Sequence, residues 1–287
     1  MSIQLIPYKP AGTIGSGPYV LREYKPDTGV DISALSITYT GAYTDYGMVT
    51  MSDGARYRLL AFTSSGTLSI EQPVNCEVCV VGGGANGAKA TQSQGGDGGA
   101  GAYLKNRSVS AYNGGPVVVG ARQGVSSIAD VSVNAVSGRN GGTGAGGNTA
   151  GTGDGISKYP FGDTSYSLWA DKPHCGGGGQ GVFEFVDADG YYRGFSGGNG
   201  GTNGGNGYPQ KSNEVIFASN GKGGSHGGGD GGQLNNGYFE GRNATYYGSG
   251  AGGGRRYKNR EGEIRLYTGG SGYQGIVYMR IPEEQAA

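Results

Sequence analysis

The chain has 287 residues, with 22 basic and 22 acidic side chains, three cysteines and 65 glycines. A net charge of zero disfavours nucleic-acid binding, which requires a basic field to neutralise phosphates, and three cysteines are too few for a disulfide scaffold. The sequence has no apolar run near the roughly 20 residues that span a bilayer, and its first residues lack the pattern of a secretory signal.

The first part of the chain predicts β-structure behind an extended arm. Residues 1–31 contain four prolines, which favour extended backbone over a packed element. Residues 32–81 contain the runs SITYTGAYT, YRLLAFT and TLSIEQPVNCEVCVV, rich in β-branched and aromatic residues and broken at Asp53-Gly54 and Ser65-Gly66. We therefore expect a β-rich base or attachment region over 32–81.

Two cysteines lie three residues apart within the last of these runs. Cys76-x-x-Cys79 has the spacing of half a zinc site. However, residues i and i+3 of a strand point to opposite faces, and the sequence has no second such pair and only two histidines. Burial as small apolar side chains is favoured over a metal or redox site, so we expect no metal.

The stretch VCVVGGGANGA, residues 78–88, matches the dinucleotide fingerprint as a buried strand followed by Gly82-x-Gly84-x-x-Gly87. That fingerprint needs a helix directly after the glycines, because the pyrophosphate lies at the helix N-terminus. Here another glycine cluster follows at 95–101, and each interior glycine costs a helix about 1 kcal/mol. The strand is expected, whereas a nucleotide or any other cofactor is not.

Glycine dominates the next part of the chain, since 57 of the 65 glycines lie between residues 82 and 275. Nine glycine runs alternate with inserts rich in tyrosine and charge. The alternatives are flexible linkers and an ordered lattice, and linkers do not explain nine runs of similar length. The runs are at residues 82–87, 95–101, 141–147, 151–155, 176–181, 197–207, 221–232, 248–254 and 269–275.

An ordered lattice of this composition predicts polyglycine II helices. The polyproline II conformation is left-handed, has three residues per turn and makes no internal hydrogen bonds. Glycine keeps its N–H, so neighbouring helices can hydrogen-bond to each other and satisfy buried backbone groups. Stretches such as GGDGG and GGNGGT fit the expected Gly-Gly-X pattern. Residues 82–275 are therefore predicted to form a bundle of such helices, and GIVYMRIP predicts a closing strand in the segment 276–287.

The inserts contain most of the 21 tyrosines. Loops on a rigid scaffold commonly carry recognition, and tyrosine offers contact area at a low entropic cost. The alternative is that the aromatic residues cap the bundle and shield it from water. Likewise, the basic residues at 255–260 are either an anion-binding patch or an ordinary solvated loop. The candidate recognition residues are Tyr159, Tyr166, Trp169, Phe183, Phe185, Tyr191, Tyr192, Tyr208, Tyr238, Phe239, Tyr246, Tyr247, Arg255, Arg256 and Tyr257.

Acidic residues give no catalytic pattern. The pairs Asp187/Asp189 and Glu261/Glu263 lie in turn-like inserts and are expected to be solvated charges rather than the paired carboxylates of a glycosidase. Asp97, like several other aspartates, lies beside glycine and suits a turn or a calcium loop, although the EF-hand pattern is missing. We therefore expect no enzymatic activity.

The alternation of glycine runs and aromatic inserts resembles the glycine-rich adhesins at the tips of T-even-like bacteriophage tail fibres. YRLLAFTSSGTLSIEQPVNCEVCVVGGG and GGSGYQGIVYMRIP also resemble a broader glycine-rich domain of phage and prophage proteins. The resemblance implies a β-sandwich base, a polyglycine II bundle with display loops, and a last strand that returns to the base. The tryptophan-bearing N-terminal module of those adhesins has no counterpart, because Trp169 lies within an insert.

This resemblance implies a receptor-binding protein of the virion, at a tail fibre or tail tip and made in the host cytoplasm. Its partners would be a host outer-membrane protein or surface glycan and, through the N-terminal region, a phage fibre or baseplate protein. The chain would be a homotrimer or a monomer on a trimeric fibre. The alternative function is a structural fibre or decoration protein that binds no receptor.

Overall fold

The structure is a computed structural model that describes residues 31–133, 159–170, 174–186, 188, 192–195, 215–216, 222–223, 227–233 and 239–284. Antiparallel strands and irregular segments account for almost all of these residues. Their only helical element is a short 3-10 turn, Pro160–Gly162. The predicted class, mostly β with almost no α-helix, is confirmed for the described residues. The predicted arm at 1–31 lies outside them except for its last residue.

One sheet has eight strands, in the order β2-β3-β13-β4-β5-β6-β7, with β1 paired to β4 beside this path. The strand runs predicted before residue 82 are confirmed as β1 to β4, and the strand predicted near the end is β13, which lies between β3 and β4. The strands are β1 (Ile37–Tyr39), β2 (Tyr43–Thr50), β3 (Arg56–Phe62), β4 (Gly66–Val81), β5 (Leu104–Val118), β6 (Ser126–Ile128), β7 (Val131–Val133) and β13 (Ile276–Pro282).

A second, five-stranded sheet has the order β10-β9-β8-β11-β12. All its pairs are antiparallel except β11 with β8, which run parallel. Its strands are short and come from the inserts between glycine runs. They are β8 (Phe183–Val186), β9 (Tyr192–Phe195), β10 (Val215–Ile216), β11 (Arg256–Lys258) and β12 (Ile264–Leu266).

The eight-stranded sheet does not end where the glycine-rich part was predicted to begin. β5, β6 and β7 come from residues 104–133, inside the predicted glycine-rich range, and β5 pairs along most of β4. This stretch was included in the glycine-rich range because glycine clusters flank it on both sides. The sheet therefore draws on both sides of the boundary predicted at residue 82.

Both faces of the eight-stranded sheet are buried. Along β3, Leu60 and Phe62 belong to one apolar cluster, whereas Leu59 and Ala61 belong to the other. Cys76 and Cys79 of β4 likewise lie in opposite clusters, as the strand period requires. Both thiols are free and buried, which confirms the apolar interpretation of this pair. Burial raises the pKa of Cys76 to about 12.

Between the two sheets lies a block of seven described glycine-rich segments. Residues 248–255, the central segment, hydrogen-bond through their backbone to six outer segments. From residue 249 to 255, the central segment donates hydrogen bonds to three outer segments and accepts them from three others. The acceptors are residues 82–90, 174–182 and 239–247, and the donors are residues 95–102, 227–233 and 267–275.

The hydrogen bonds of the central segment repeat every three residues. Successive N–H groups point to three different acceptor segments, and the fourth returns to the first. The donor–acceptor pairs are Gly250–Gly176 and Gly253–Gly179, then Ala251–Ala85 and Gly254–Ala88, then Gly252–Arg242 and Arg255–Phe239.

The carbonyl groups of the central segment follow the same repeat. They accept from the three donor segments in turn, so every backbone polar group from residue 250 to 255 has a partner. The pairs, written donor first, are Gly229–Gly250 and Gly232–Gly253, Gly99–Ala251 and Gly96–Gly254, and Gly270–Gly252 and Tyr267–Arg255.

The close approach of these segments explains the glycine content. A Cβ placed on Gly252 would overlap the carbonyl oxygen of Asp230, and one on Gly87 would overlap that of Gly252. The obstacle in each case is backbone, which cannot turn away as a side chain can. At such positions only glycine fits, because the Cβ of any other residue would overlap the backbone of a neighbouring segment.

Candidate functional site

The glycine block has two ends, and the predicted recognition residues fall into two groups accordingly. At the sheet end, the segments 82–90, 95–102 and 267–275 continue directly from or into strands of the eight-stranded sheet. At the far end, 174–182 leads into β8 and the central segment leads into β11. The five-stranded sheet thus lies at the far end, separated from the larger sheet by the length of the block.

The far-end cluster comprises Phe183, Phe185, Phe239, Tyr257 and Tyr267. Phe183 and Phe185 meet edge to face with 6.2 Å between ring centroids, and Phe239 stacks on Tyr267 at 5.2 Å. Phe239 is 39% exposed, the most open of the aromatic rings described at this end. Tyr267, one of the tyrosines of the inserts, was not among the predicted candidates.

Two buried arginines contact the rings of this cluster through their guanidinium groups. The Arg255 guanidinium lies 4.7 Å from the ring centre of Tyr257, and that of Arg256 lies 4.2 Å from the ring centre of Phe183. Arg255 Nε donates to Glu184 Oε2 at 2.5 Å, and both side chains are buried. Burial raises the pKa of Glu184, although the Arg255 charge opposes the rise.

The burial of Arg255 and Arg256 corrects the prediction for these residues. Neither presents its charge to a partner, because Arg255 pairs with Glu184 and both guanidinium groups stack on rings. Of the basic residues predicted to form one cluster at 255–260, only Lys258 and Arg260 are exposed. Two consecutive arginines at the end of a buried segment act as internal anchors, and the sequence alone does not distinguish that role from a surface patch.

The sheet-end cluster contains Tyr159, Tyr166, Trp169, Tyr246 and Tyr247. All except Tyr246 pack in the apolar cluster on the block-facing side of the larger sheet, and Tyr246 contacts Tyr247 and His174. Trp169 is fully buried, and its Nε1 donates to the Asp163 carbonyl at 2.6 Å. The prediction that Trp169 is displayed is therefore wrong, since the indole fills the joint between sheet and block. For this residue the capping alternative describes the structure.

Four further residues complete the sheet-end cluster, and none was predicted as a candidate. His174 is fully buried, and its Nε2 is hydrogen-bonded to the Tyr278 hydroxyl at 3.1 Å. Tyr46 of β2 and Tyr273 of the 267–275 segment are 41% and 38% exposed. Tyr46 and Tyr278 come from strands and Tyr273 from a glycine run. They were not predicted because the candidates were taken from the inserts between the glycine runs.

Some predicted positions cannot be placed in either cluster. Tyr191, Tyr208 and Tyr238 lie outside the described residues, and only the backbone of Tyr192, in β9, is described. The glycine runs at 141–147, 151–155 and 197–207 are outside the described ranges as well.

The fingerprint at Gly82–Gly87 is part of the block. After β4 ends at Val81, Gly84 and Gly87 donate to Tyr273 and Gly270 in the neighbouring segment. Residues 82–90 contain no helix. The backbone N–H groups that a pyrophosphate would need are already used in the lattice.

Asp97 was expected in a turn or a calcium loop, and the structure corrects this prediction. Asp97 is 2% exposed inside the block, where Gln180 Nε2 donates to its Oδ1 at 3.1 Å. Burial raises the pKa of Asp97 to about 6, partly opposed by the Gln180 hydrogen bond. Within the described ranges, no group of three or more His, Cys, Asp or Glu side chains is placed to hold a metal ion.

No family model and no curated protein matches the chain. In the part of the chain that the structure describes, no helix has the length and apolarity to cross a membrane.

Proposed function

We propose that the glycine segments are polyglycine II helices packed as a bundle on a β-sandwich base. The three-residue repeat of the hydrogen bonds supports this assignment, because polyproline II geometry has three residues per turn and leaves every backbone group free for neighbours. The central segment then has six neighbours, as one rod does in a hexagonal array. The base is the eight-stranded sheet with its two apolar clusters.

The function we propose for this scaffold is that of a bacteriophage tail-fibre or tail-tip adhesin, without enzymatic activity. The observation that carries the proposal is the laterally hydrogen-bonded block that separates the five-stranded sheet from the larger one. A block of this kind resists bending, because each segment is bonded to several others. Its use is to hold a recognition surface at a fixed distance and orientation from an attachment region.

In this proposal the far end meets a receptor on the host bacterial surface, an outer-membrane protein or a glycan. The exposed side chains there include Phe239 and the basic Lys258, Arg260 and Arg265. The acidic Glu240, Glu261 and Glu263 are exposed beside them, and Glu263 pairs with Arg265. An exposed aromatic ring with basic and hydrogen-bonding groups around it suits a mixed polar surface. The sheet end, which carries the chain toward its N-terminal region, would join a fibre or baseplate protein in the virion.

The test is adsorption of the purified full-length chain to cells of a bacterial strain panel, followed by competition with phage on the strain that binds. Replacing Phe239, Lys258, Arg260 and Arg265 together by alanine is expected to reduce cell binding at least tenfold while thermal unfolding stays cooperative. The matched control is Lys105→Ala with Arg107→Ala on β5, which removes charge from the larger sheet and should leave adsorption intact.

The second candidate is a structural fibre or decoration protein, in which the block serves only as a stiff spacer. The observation that favours it is that the two far-end arginines are internal anchors rather than displayed groups. Absence of binding to every strain in the panel, with the protein folded, would support this candidate and reject the adhesin. Binding that survives the fourfold far-end replacement would place recognition elsewhere on the molecule.

A further inference from the structure

The sheet end carries a cluster of five tyrosines that the proposed adhesin function does not use. Tyr46, Tyr166, Tyr246, Tyr247 and Tyr273, here called the tyrosine platform, come from four separate parts of the chain. Tyr246 and Tyr247 have ring centroids 5.1 Å apart, and Tyr247 meets Tyr273 edge to face at 5.5 Å. The fold has thus assembled these rings from positions distant in sequence.

The platform is open to solvent on one side and supported on the other. Tyr46 and Tyr273 are 41% and 38% exposed, and the other three rings are half-buried. Below them, His174 lies with its ring centroid 4.9 Å from that of Tyr246 and is hydrogen-bonded to Tyr278. Trp169 supports Tyr166 at 4.8 Å. Rings fixed from below have little side-chain entropy left to lose on binding.

The platform hydroxyls lie close enough to influence one another. Burial raises the pKa values of Tyr166, Tyr246 and Tyr247, and the neighbouring phenol of Tyr46 adds to the rise in each case. Every platform side chain is a tyrosine, so the surface offers ring faces and neutral hydroxyls that both donate and accept. The five side chains themselves carry no charge at neutral pH. The Asp163 carboxylate beside Tyr166 is buried and accepts hydrogen bonds from the backbone N–H groups of Ser52, Ser165 and Tyr166.

We propose that the tyrosine platform binds a neutral oligosaccharide. A pyranose ring has a face of polarised C–H bonds, which suits the negative face of an aromatic ring. Its hydroxyls pair with groups that both donate and accept hydrogen bonds, as the tyrosine hydroxyls do. Several adjacent rings accommodate more than one sugar unit. This surface lies at the opposite end of the block from the proposed receptor-binding residues, so it forms a second site.

The experiment is binding of the full-length chain to a printed panel of neutral hexose and N-acetylhexosamine oligosaccharides, with sialylated and sulfated oligosaccharides and unrelated peptides on the same slide. At least one neutral oligosaccharide is expected to bind. Tyr46→Ala with Tyr273→Ala should weaken that binding at least tenfold, whereas Tyr273→Phe, which keeps the ring, should weaken it less than Tyr273→Ala.

The matched control is Val118→Ala, which shortens an apolar side chain of similar exposure on β5, outside both proposed sites, and should leave oligosaccharide binding unchanged. Cooperative thermal unfolding of each variant shows that the scaffold is intact. The proposal is overturned by a panel on which no neutral oligosaccharide binds, by binding that survives the double replacement, or by a preference for acidic oligosaccharides or peptides. Adsorption to cells is measured separately, so the oligosaccharide site can be rejected while the adhesin function stands, and the reverse.

Discussion

The eight-stranded sheet and the glycine block are packed by opposite means. In the sheet, side chains fill the interior, and Leu60, Phe62 and Met279 are fully buried. In the block, backbone atoms fill the interior, and a carbonyl oxygen stands where most proteins would place a side chain. One region is stabilised mainly by apolar area removed from water, the other by lateral hydrogen bonds and close backbone contact.

This difference decides which substitutions each region tolerates. A side-chain core loses stability when atoms are removed, because a cavity remains. A backbone core has almost no side-chain atoms to remove, and it loses stability when atoms are added. We therefore expect large-to-small substitutions to damage the sheet and small-to-large substitutions to damage the block.

The largest expected effect is that of Gly252→Ala in the central segment. The added methyl group would overlap the Asp230 carbonyl, and Gly252 also bonds to two further segments. Because backbone on all sides prevents relaxation, we expect a loss of more than about 5 kcal/mol in the free energy of unfolding, or no folded protein. Denaturant unfolding measures this loss, and hydrogen exchange shows whether the amides of the block lose protection.

The control for that variant is Gly54→Ala in the turn between β2 and β3. Gly54 has φ +83° and no atom near the position of a Cβ, so alanine meets conformational strain without overlap. About 1–2 kcal/mol is expected from the left-handed conformation alone. Similar losses for the two variants would contradict the backbone-core account.

The next largest effect is expected from removing a buried side chain from the eight-stranded sheet. Phe62→Ala removes a fully buried ring that packs on Tyr39 at 4.7 Å between centroids, and we expect a loss of about 3–5 kcal/mol. Tyr46→Ala on the adjacent strand is the control, because a ring that is 41% exposed leaves no cavity. Equal unfolding midpoints for these two variants would show that the sheet is not governed by side-chain packing.

The same contrast explains what the sequence could predict. Strand formation depends on side chains, so β1 to β4 and β13 follow from short runs of β-branched and aromatic residues. The strand period likewise predicts that Cys76 and Cys79 lie on opposite faces. Glycine runs predict a tight backbone lattice, but they do not say which segment is central. That depends on which neighbours each N–H group reaches, and these neighbours are distant in sequence.

The candidate residues were harder to predict for a related reason. Aromatic and basic residues in inserts serve equally well as displayed groups and as internal anchors, and only the tertiary structure separates the two. Trp169 and Arg255 are buried, whereas Tyr46 and Tyr273, in a strand and a glycine run, are exposed. Composition identifies where aromatic residues are concentrated, while exposure depends on how the ends of the block are covered.

A smaller loss of stability is expected from breaking the buried Arg255–Glu184 pair at the far end of the block. Arg255→Met would leave Glu184 buried without its 2.5 Å partner, which we expect to cost about 3 kcal/mol. Adding Glu184→Leu should restore part of that loss, since the uncompensated charge is then gone. Denaturant unfolding of the two single variants and the double variant measures the coupling. Additive losses would show that the pair is not a buried ion pair.

The smallest effect concerns Asp97. This carboxylate is buried inside the block and accepts a hydrogen bond from the Gln180 side chain. Its pKa is about 6 in the folded protein against an ordinary 3.8, because burial disfavours the charged form. Below pH 3.8 both states are protonated and the group costs nothing. As the pH rises from about 4 to 6, the unfolded carboxylate ionises freely while the folded one resists, so stability falls.

The difference between 3.8 and about 6 corresponds to a loss of about 3 kcal/mol above pH 6. Asp97→Asn removes the titration, although its amide adds a buried donor that lowers the gain to about 2 kcal/mol at pH 7.5. The free energies of unfolding of the two proteins should therefore converge and then cross between pH 6 and 4, with the wild type favoured at the acid end. A difference that stays constant from pH 4 to 8 would show that Asp97 is solvated, and that water enters the lattice at this point.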